Sequence, residues 1–201
     1  MKEKFNKVYR KLFGFYGKQY WWPGEGLEIV VGAVLVQQTN WKNVEKALEK
    51  LRLVNCLSID CLKNISVKEL EQLIRSTGYY NIKAKRLQNL IKLLAVKPHP
   101  SRNELLEVNG VGPETADSIL LYRFNEPVFV VDAYTFRIFR RLGIYEGESY
   151  ADFQRLFMDN LQNKSQMFNE YHALIVRHAK NICLKTKPKC IECPLKDDCK
   201  Y

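Results

Sequence analysis

The stretch that most constrains the fold runs from Leu106 to Gly143, LEVNGVGPETADSILLYRFNEPVFVVDAYTFRIFRRLG. Its pattern predicts a helix, a tight turn at Asn109-Gly110-Val111-Gly112-Pro113, a second helix, a short apolar crossing and a third helix headed by a lone carboxylate. The glycines allow backbone angles closed to other residues, and proline suits the first turn of the helix that follows. Amides freed at that helix start point outward, where the helix field favours an anion. Val111, between the glycines, is placed to pack the two helices together. Asp132 follows the apolar run Pro127-Val128-Phe129-Val130-Val131 and precedes a helix carrying Arg137, Arg140 and Arg141. A carboxylate in that position is either a helix cap or a catalytic group at a helix mouth.

The remainder reads as helices joined by short loops. Phe5, Val8, Tyr9, Leu12 and Phe13 recur at helical spacing in a basic N-terminal segment. Leu27 to Val36 is nearly all apolar and reads as a buried helix, since the chain offers no strand partners. Asn40 and Ser66 are cap residues for the helices that follow them, and Lys97-Pro98-His99-Pro100 breaks the chain before the hairpin. Further helices are predicted around Ile82 to Val96, Tyr150 to Asn160 and Phe168 to Ile182. The expected fold class is all-α.

Cys183, Cys190, Cys193 and Cys199 form one short loop, Cys-x6-Cys-x2-Cys-x5-Cys, with Pro188 and Pro194. Thiolates gathered this way bind a soft metal or an iron–sulfur cluster. Structural zinc sites more often use two close cysteine pairs, and only one is present here. Cys56 and Cys61 fall outside the pattern and read as unreactive thiols. A net charge of +10 over 201 residues suggests a polyanionic partner. No apolar run reaches membrane-spanning length, and the N-terminus lacks the apolar core of a signal peptide. An intracellular, cytoplasmic protein (nucleoid-associated if prokaryotic) is therefore expected, its cysteines thiols or metal ligands rather than disulfides. A monomer is the default expectation.

LEVNGVGPETA followed by PVFVVDAYTFRIFRRLG, together with the spacing of the four C-terminal cysteines, resembles the helix-hairpin-helix DNA glycosylases of the endonuclease III superfamily. The resemblance implies a two-lobed fold: a six-helix lobe over residues 23–131, and a cluster-bearing lobe formed by residues 1–22 and 132–201. It implies a 4Fe-4S cluster held by Cys183, Cys190, Cys193 and Cys199, with the loop lysines Lys185, Lys187, Lys189 and Lys196 near the DNA backbone. Double-stranded DNA bearing a damaged base would be the partner. Asp132 would be the catalytic carboxylate, placed at the cleft between the lobes, stabilising the sugar cation and orienting or deprotonating water. In lyase-active members a nucleophilic lysine occupies the position that is Glu114 here. A carboxylate forms no Schiff base, so a monofunctional glycosylase is expected.

Three further segments, WWPG, LEIVVGAVLVQQTNW and STGYYNIKAKRL, are similar to the 3-methyladenine DNA glycosylases of the same superfamily, although the members placed closest lack the cysteine loop. By that match Trp21, Trp22, Pro23 and Trp41 would line a base pocket with Glu114, and the substrate would be an alkylated purine, whose positive charge attracts aromatic faces. Gln37 would fill the gap left by the extruded base and Tyr79 would wedge the opposite strand. Lys83, Lys85 and Arg86, with the hairpin residues Gly110, Val111 and Gly112, would contact phosphates. Alternatives are a glycosylase for mismatched or deaminated pyrimidines, a bifunctional endonuclease III-type glycosylase and lyase, and a non-catalytic DNA-binding module.

Overall fold

The computed structural model describes residues 1–21 and 24–201; Trp22 and Pro23, expected at the base pocket, lie outside the described residues. Every regular element among the described residues is helical. None of these helices is long and apolar enough to cross a membrane. The chain divides into two compact units, Pro23–Phe124 and the paired segments Met1–Trp22 and Asn125–Tyr201.

The central unit holds α2 (Leu27–Leu35), α3 (Trp41–Leu53), α4 (Ile59–Asn64), α5 (Val67–Leu73), α6 (Tyr80–Val96), α7 (Arg102–Glu107) and α8 (Pro113–Ser118). A single π-helical turn, Ile119–Arg123, continues α8. Helix α2 is buried from Ile29 to Leu35, as a helix apolar on every face must be. Helices α3 and α6 both contact it, α3 burying Val44, Ala47, Leu48 and Leu51, and α6 burying Leu87, Leu90, Ile91 and Leu94. The caps read from sequence are formed: the Asn40 side chain accepts from the Asn43 amide, and Ser66 closes a reciprocal box with Glu69. Each such cap contributes about 1 kcal/mol.

Cys56 and Cys61 are joined in a disulfide, which corrects the expectation of two thiols. Asn55 adopts the left-handed region (φ 54°) at the end of α3, and the Cys56 amide bonds back to the Leu51 carbonyl at 2.8 Å. Beyond it, in the connection into α4, the Cα atoms of Cys56 and Cys61 come within 5.1 Å, inside the range a disulfide spans.

The other unit is built from α1 (Lys2–Tyr16), α9 (Ala133–Arg141), α10 (Tyr150–Asn160) and α11 (Ser165–Asn181), followed by the cysteine loop. Its core is aromatic. Phe129 stacks on Phe157 at 3.8 Å between centroids, Phe5 meets Phe157 edge-on at 4.7 Å, and Phe139 lies 4.8 Å from Phe157. Such ring pairs add about 1 kcal/mol each beyond the area they bury. The Tyr171 hydroxyl donates to the Phe5 carbonyl at 2.9 Å, tying α11 to α1. Residues 125–131 cluster with this aromatic unit, and Phe129 lies in its core.

Candidate active site

Asp132 sits one residue before α9 as its N-cap. Oδ1 accepts from the Thr135 amide at 2.7 Å and from the Thr135 hydroxyl at 2.8 Å, closing a capping box around the helix start. Both alternatives left open for this carboxylate begin from the same geometry, because the cap uses one oxygen only. The other, Oδ2, lies 3.5 Å from Nε2 of His172 on α11. The Asp132 side chain is 12% exposed and that of His172 7%. Burial alone would push the carboxyl up, but His172 and then the Thr135 amide and hydroxyl outweigh it and hold the carboxyl below the ordinary carboxylate range. The positive end of α9 acts in the same direction. Asp132 is thus a desolvated but ionised carboxylate near neutral pH. Its local environment can stabilise a cation or accept a proton. His172 and Thr135 are site neighbours that sequence reasoning missed. The Thr135 box was findable from its three-residue offset, whereas His172 lies forty residues away on another helix.

The hairpin is formed by α7, the glycine turn and α8. Gly110 has φ +90°, so only glycine is comfortable there, while Gly112 is extended at φ −91° and serves as the α8 N-cap. Pro113 occupies the first turn of α8, and Val111 is buried as the plug between the helices, 5% exposed. Arg102 on α7 is bridged to the fully buried Asp117 on α8 at 2.7 Å, which locks the two helices of the hairpin. Gln37, at the end of α2, reaches across to this turn: its amide donates to the Gly110 carbonyl and to the Thr115 hydroxyl, each at 3.1 Å. Its Oε1 accepts from Arg86 at 2.9 Å. Gln37, Arg86 and Gly110 are therefore brought together, with Thr115 as an added partner. Glu114 is exposed in the first turn of α8.

Tyr79 is the N-cap of α6, left-handed at φ 47° and 62% exposed, a presentation compatible with a side chain offered to a partner. Lys85 is exposed on the same helix. Lys83 is not. It is 2% exposed, and its ammonium donates to the Leu35 carbonyl at 2.9 Å and the Thr77 carbonyl at 2.8 Å. Burial and then the charge of Arg86 lower its pKa to about 8. This corrects the expectation of a phosphate contact: Lys83 satisfies carbonyls at the end of α2 and beside the Arg75–Thr77 turn, which would otherwise be left unpaired. Trp41 opens α3 and is half-buried in the central unit, and Trp21 is half-buried in the other.

Among the described residues no three His, Cys, Asp or Glu side chains are gathered tightly enough to mark a metal site. The four loop cysteines are nevertheless free of disulfides, and Cys193 feels the charges of Cys183, Cys199 and Cys190 after the larger effect of its own burial. The loop is strapped to α9. Arg141 donates to Cys183 Sγ at 3.2 Å and to the Leu184 carbonyl at 2.8 Å, and Arg137 donates to the Cys183 and Ala179 carbonyls. The Leu195 amide donates to Cys193 Sγ at 3.4 Å, and buried His178 lies 3.4 Å from the same sulfur while its other nitrogen meets the Tyr16 hydroxyl at 3.0 Å. Donors aimed at sulfur are the surroundings that soft-metal thiolates require, so the donor set fits a thiolate-bound cluster. Lys185, Lys187, Lys189 and Lys196 are arrayed along it.

Comparison with known proteins converges with this geometry. The model of the HhH-GPD superfamily base excision DNA repair protein matches residues 31–163. A protein of Methanocaldococcus jannaschii provisionally named a DNA repair glycosylase is 44% identical, over 98% of this chain and 96% of its own length. Endonuclease III of Thermotoga maritima is 29% identical, covering 86% of this chain and 82% of its own. The H. pylori 3-methyladenine DNA glycosylase bound to 1,N6-ethenoadenine superposes with a TM-score of 0.77 at 28% identity, over 89% of this chain and 95% of that one. An endonuclease III–DNA complex superposes with a TM-score of 0.88 at 24% identity, over 100% of this chain and 95% of that one, a likeness of fold. With the all-helical architecture, the hairpin and these relatives agreeing, the chain belongs to the HhH-GPD superfamily of base excision DNA repair glycosylases.

Proposed function

We propose that this chain is a monofunctional DNA glycosylase that hydrolyses the N-glycosidic bond of an alkylated purine swung out of the duplex. The observation that carries the reading is the Asp132 carboxylate, ionised despite its burial, with Oδ1 fixed in the α9 cap and Oδ2 left outside it. As the bond from the sugar to the base breaks, the base leaves with the electron pair and positive charge develops on the sugar. An ionised carboxylate in a desolvated site stabilises that charge more strongly than it could in water. Water then forms the new carbon–oxygen bond, and Asp132 orients it or accepts its proton. An alkylated purine is cationic before the bond breaks and leaves as a neutral base, so no general acid is needed for departure.

Two observations support the narrower assignment. Glu114 stands where a Schiff-base lysine would be needed, and no other lysine matches that position. One solved relative, at 28% identity, is a 3-methyladenine DNA glycosylase bound to 1,N6-ethenoadenine. Trp41, Trp21, Trp22 and Pro23 remain the proposed wall of the base pocket, with Glu114 at its edge. Gln37 and Tyr79 are the proposed wedges, and Lys85, Arg86 and the amides of Gly110, Val111 and Gly112 the proposed phosphate contacts. Cys183, Cys190, Cys193 and Cys199 would hold a 4Fe-4S cluster. Bound there, the cluster would supply a structural staple for the basic loop strapped to α9, and no step of base release runs through it.

The test is single-turnover base release from dimethyl-sulfate-treated duplex DNA, beside duplexes carrying uracil, thymine glycol or a T·G mismatch. Release of methylated purines by the wild type, lost in Asp132→Asn, is the expected result. The competing readings are a mismatched- or deaminated-pyrimidine glycosylase and a bifunctional endonuclease III-type enzyme, the latter sharing its name with several relatives, and the uracil, thymine glycol and T·G duplexes probe them. Release confined to those duplexes would establish one of them. No release from any duplex would leave a DNA-binding module.

A further inference from the structure

Oδ2 of Asp132 is the carboxylate oxygen that the capping box does not use, and the polar group set against it is not on α9. It is His172, just under halfway along α11, with Nε2 at 3.5 Å. That separation is long for a closed hydrogen bond, and catalytic pairs in unliganded sites commonly tighten on binding. The imidazole is 5% exposed and faces the edge of Phe129 at 6.4 Å between centroids, so it exchanges little with water. Two elements present polar groups to the carboxylate: Thr135 on α9 and His172 on α11.

We propose that His172 is a positioning residue for base release, holding Oδ2 of Asp132 through Nε2 so that the carboxylate is fixed in orientation. This rests on the reading of Asp132 as the group that stabilises the sugar cation. With Oδ1 bound to Thr135 and Oδ2 steadied by His172, the carboxylate plane is fixed from two helices. The capping box enforces the choice of tautomer. Thr135 donates to Oδ1, so an amide placed at residue 132 must turn its oxygen to Thr135 and its NH2 toward His172, and the imidazole proton then has to move to Nδ1.

Two measurements on the full-length protein test this. In 15N–1H spectra a hydrogen-bonded Nε2 proton of His172 is expected in the wild type and absent in Asp132→Asn. Its absence from the wild type overturns the proposal whatever the substrate. Second, single-turnover release from dimethyl-sulfate-treated duplex is compared between the wild type and two variants. His172→Gln, which keeps a donor at that position, retains most of the wild-type rate. His172→Phe, an apolar ring with no donor, is about tenfold slower with DNA affinity unchanged. Should the phenylalanine variant fail to fold, the Nε2 proton signal and the glutamine variant decide, and a folded glutamine variant as inactive as Asp132→Asn overturns the positioning role. A folded phenylalanine variant at wild-type rate beside an inactive Asp132→Asn overturns the positioning role and leaves the glycosylase reading intact. Full activity in Asp132→Asn removes both.

Discussion

The two hairpin glycines look equivalent in sequence, and the structure separates them. At Gly110 the backbone is at φ +90°, and a Cβ would lie 2.3 Å from Cγ and Cδ of Arg86. Gly110→Ala therefore faces two penalties. Holding an L-residue on the positive-φ side costs about 1–2 kcal/mol. Relieving the overlap means swinging Arg86 away, which breaks its 2.9 Å bond to Gln37, a bond to a charged group worth about 1.5 kcal/mol or more. The sum is about 3 kcal/mol, which for a chain of this length lowers the melting temperature by about 6–12 °C. Gly112 is the internal control, since its φ is −91° and a Cβ there would meet nothing within 4 Å. There alanine loses a favourable N-cap and gains from a stiffer unfolded chain, two effects each under about 1 kcal/mol and opposite in sign. Gly112→Ala is expected to melt within about 3 °C of the wild type. Paired thermal melts and urea titrations read both values. Equal destabilisation of the two variants, or a Gly110→Ala protein that melts with the wild type, would refute the close packing of Arg86 over the turn.

Glu114→Lys restores a nucleophile at the lyase position, and a borohydride-trapped protein–DNA adduct is expected from it but not from the wild type; efficient trapping of the wild type would contradict the monofunctional assignment. Lys85→Ala should reduce the slope of log K against log salt by about 0.9, the loss of one phosphate contact, whereas Lys83→Met should leave that slope unchanged while lowering stability. A reduced slope for Lys83→Met would return Lys83 to the DNA interface. Because the Asp132 carboxyl is held below its unfolded range, its ionised form contributes stability that is present above the unfolded pKa, about 3.9, and is lost as pH falls through the lower folded value. Acid denaturation of Asp132→Asn, followed by far-ultraviolet circular dichroism, should accordingly lack that part of the wild-type slope; superimposable acid limbs would contradict the depressed carboxyl.

Local features were legible because they are decided within a few residues. Asn40, Ser66 and Asp132 each satisfy amides three residues on, so their side chains and offsets name the helix starts without knowledge of what the helices touch. The all-apolar run of α2 likewise announces a helix with no solvent face. The HhH-GPD membership followed from the hairpin and cysteine spacings for the same reason. What escaped was every feature that depends on which faces meet. Lys83 sits among lysines and arginines at helical spacing, and only the packing of α6 against α2 turns it inward onto carbonyls. Cys56 and Cys61 became a disulfide because the connection from α3 into α4 brings their Cα atoms within 5.1 Å, a bend that their spacing alone does not dictate. His172 met Asp132 only because α11 lies along α9. A chain encodes its turns and caps through short-range geometry, but a side chain's partner across tens of residues is chosen by the packing of whole helices, and that choice exists only in the folded molecule.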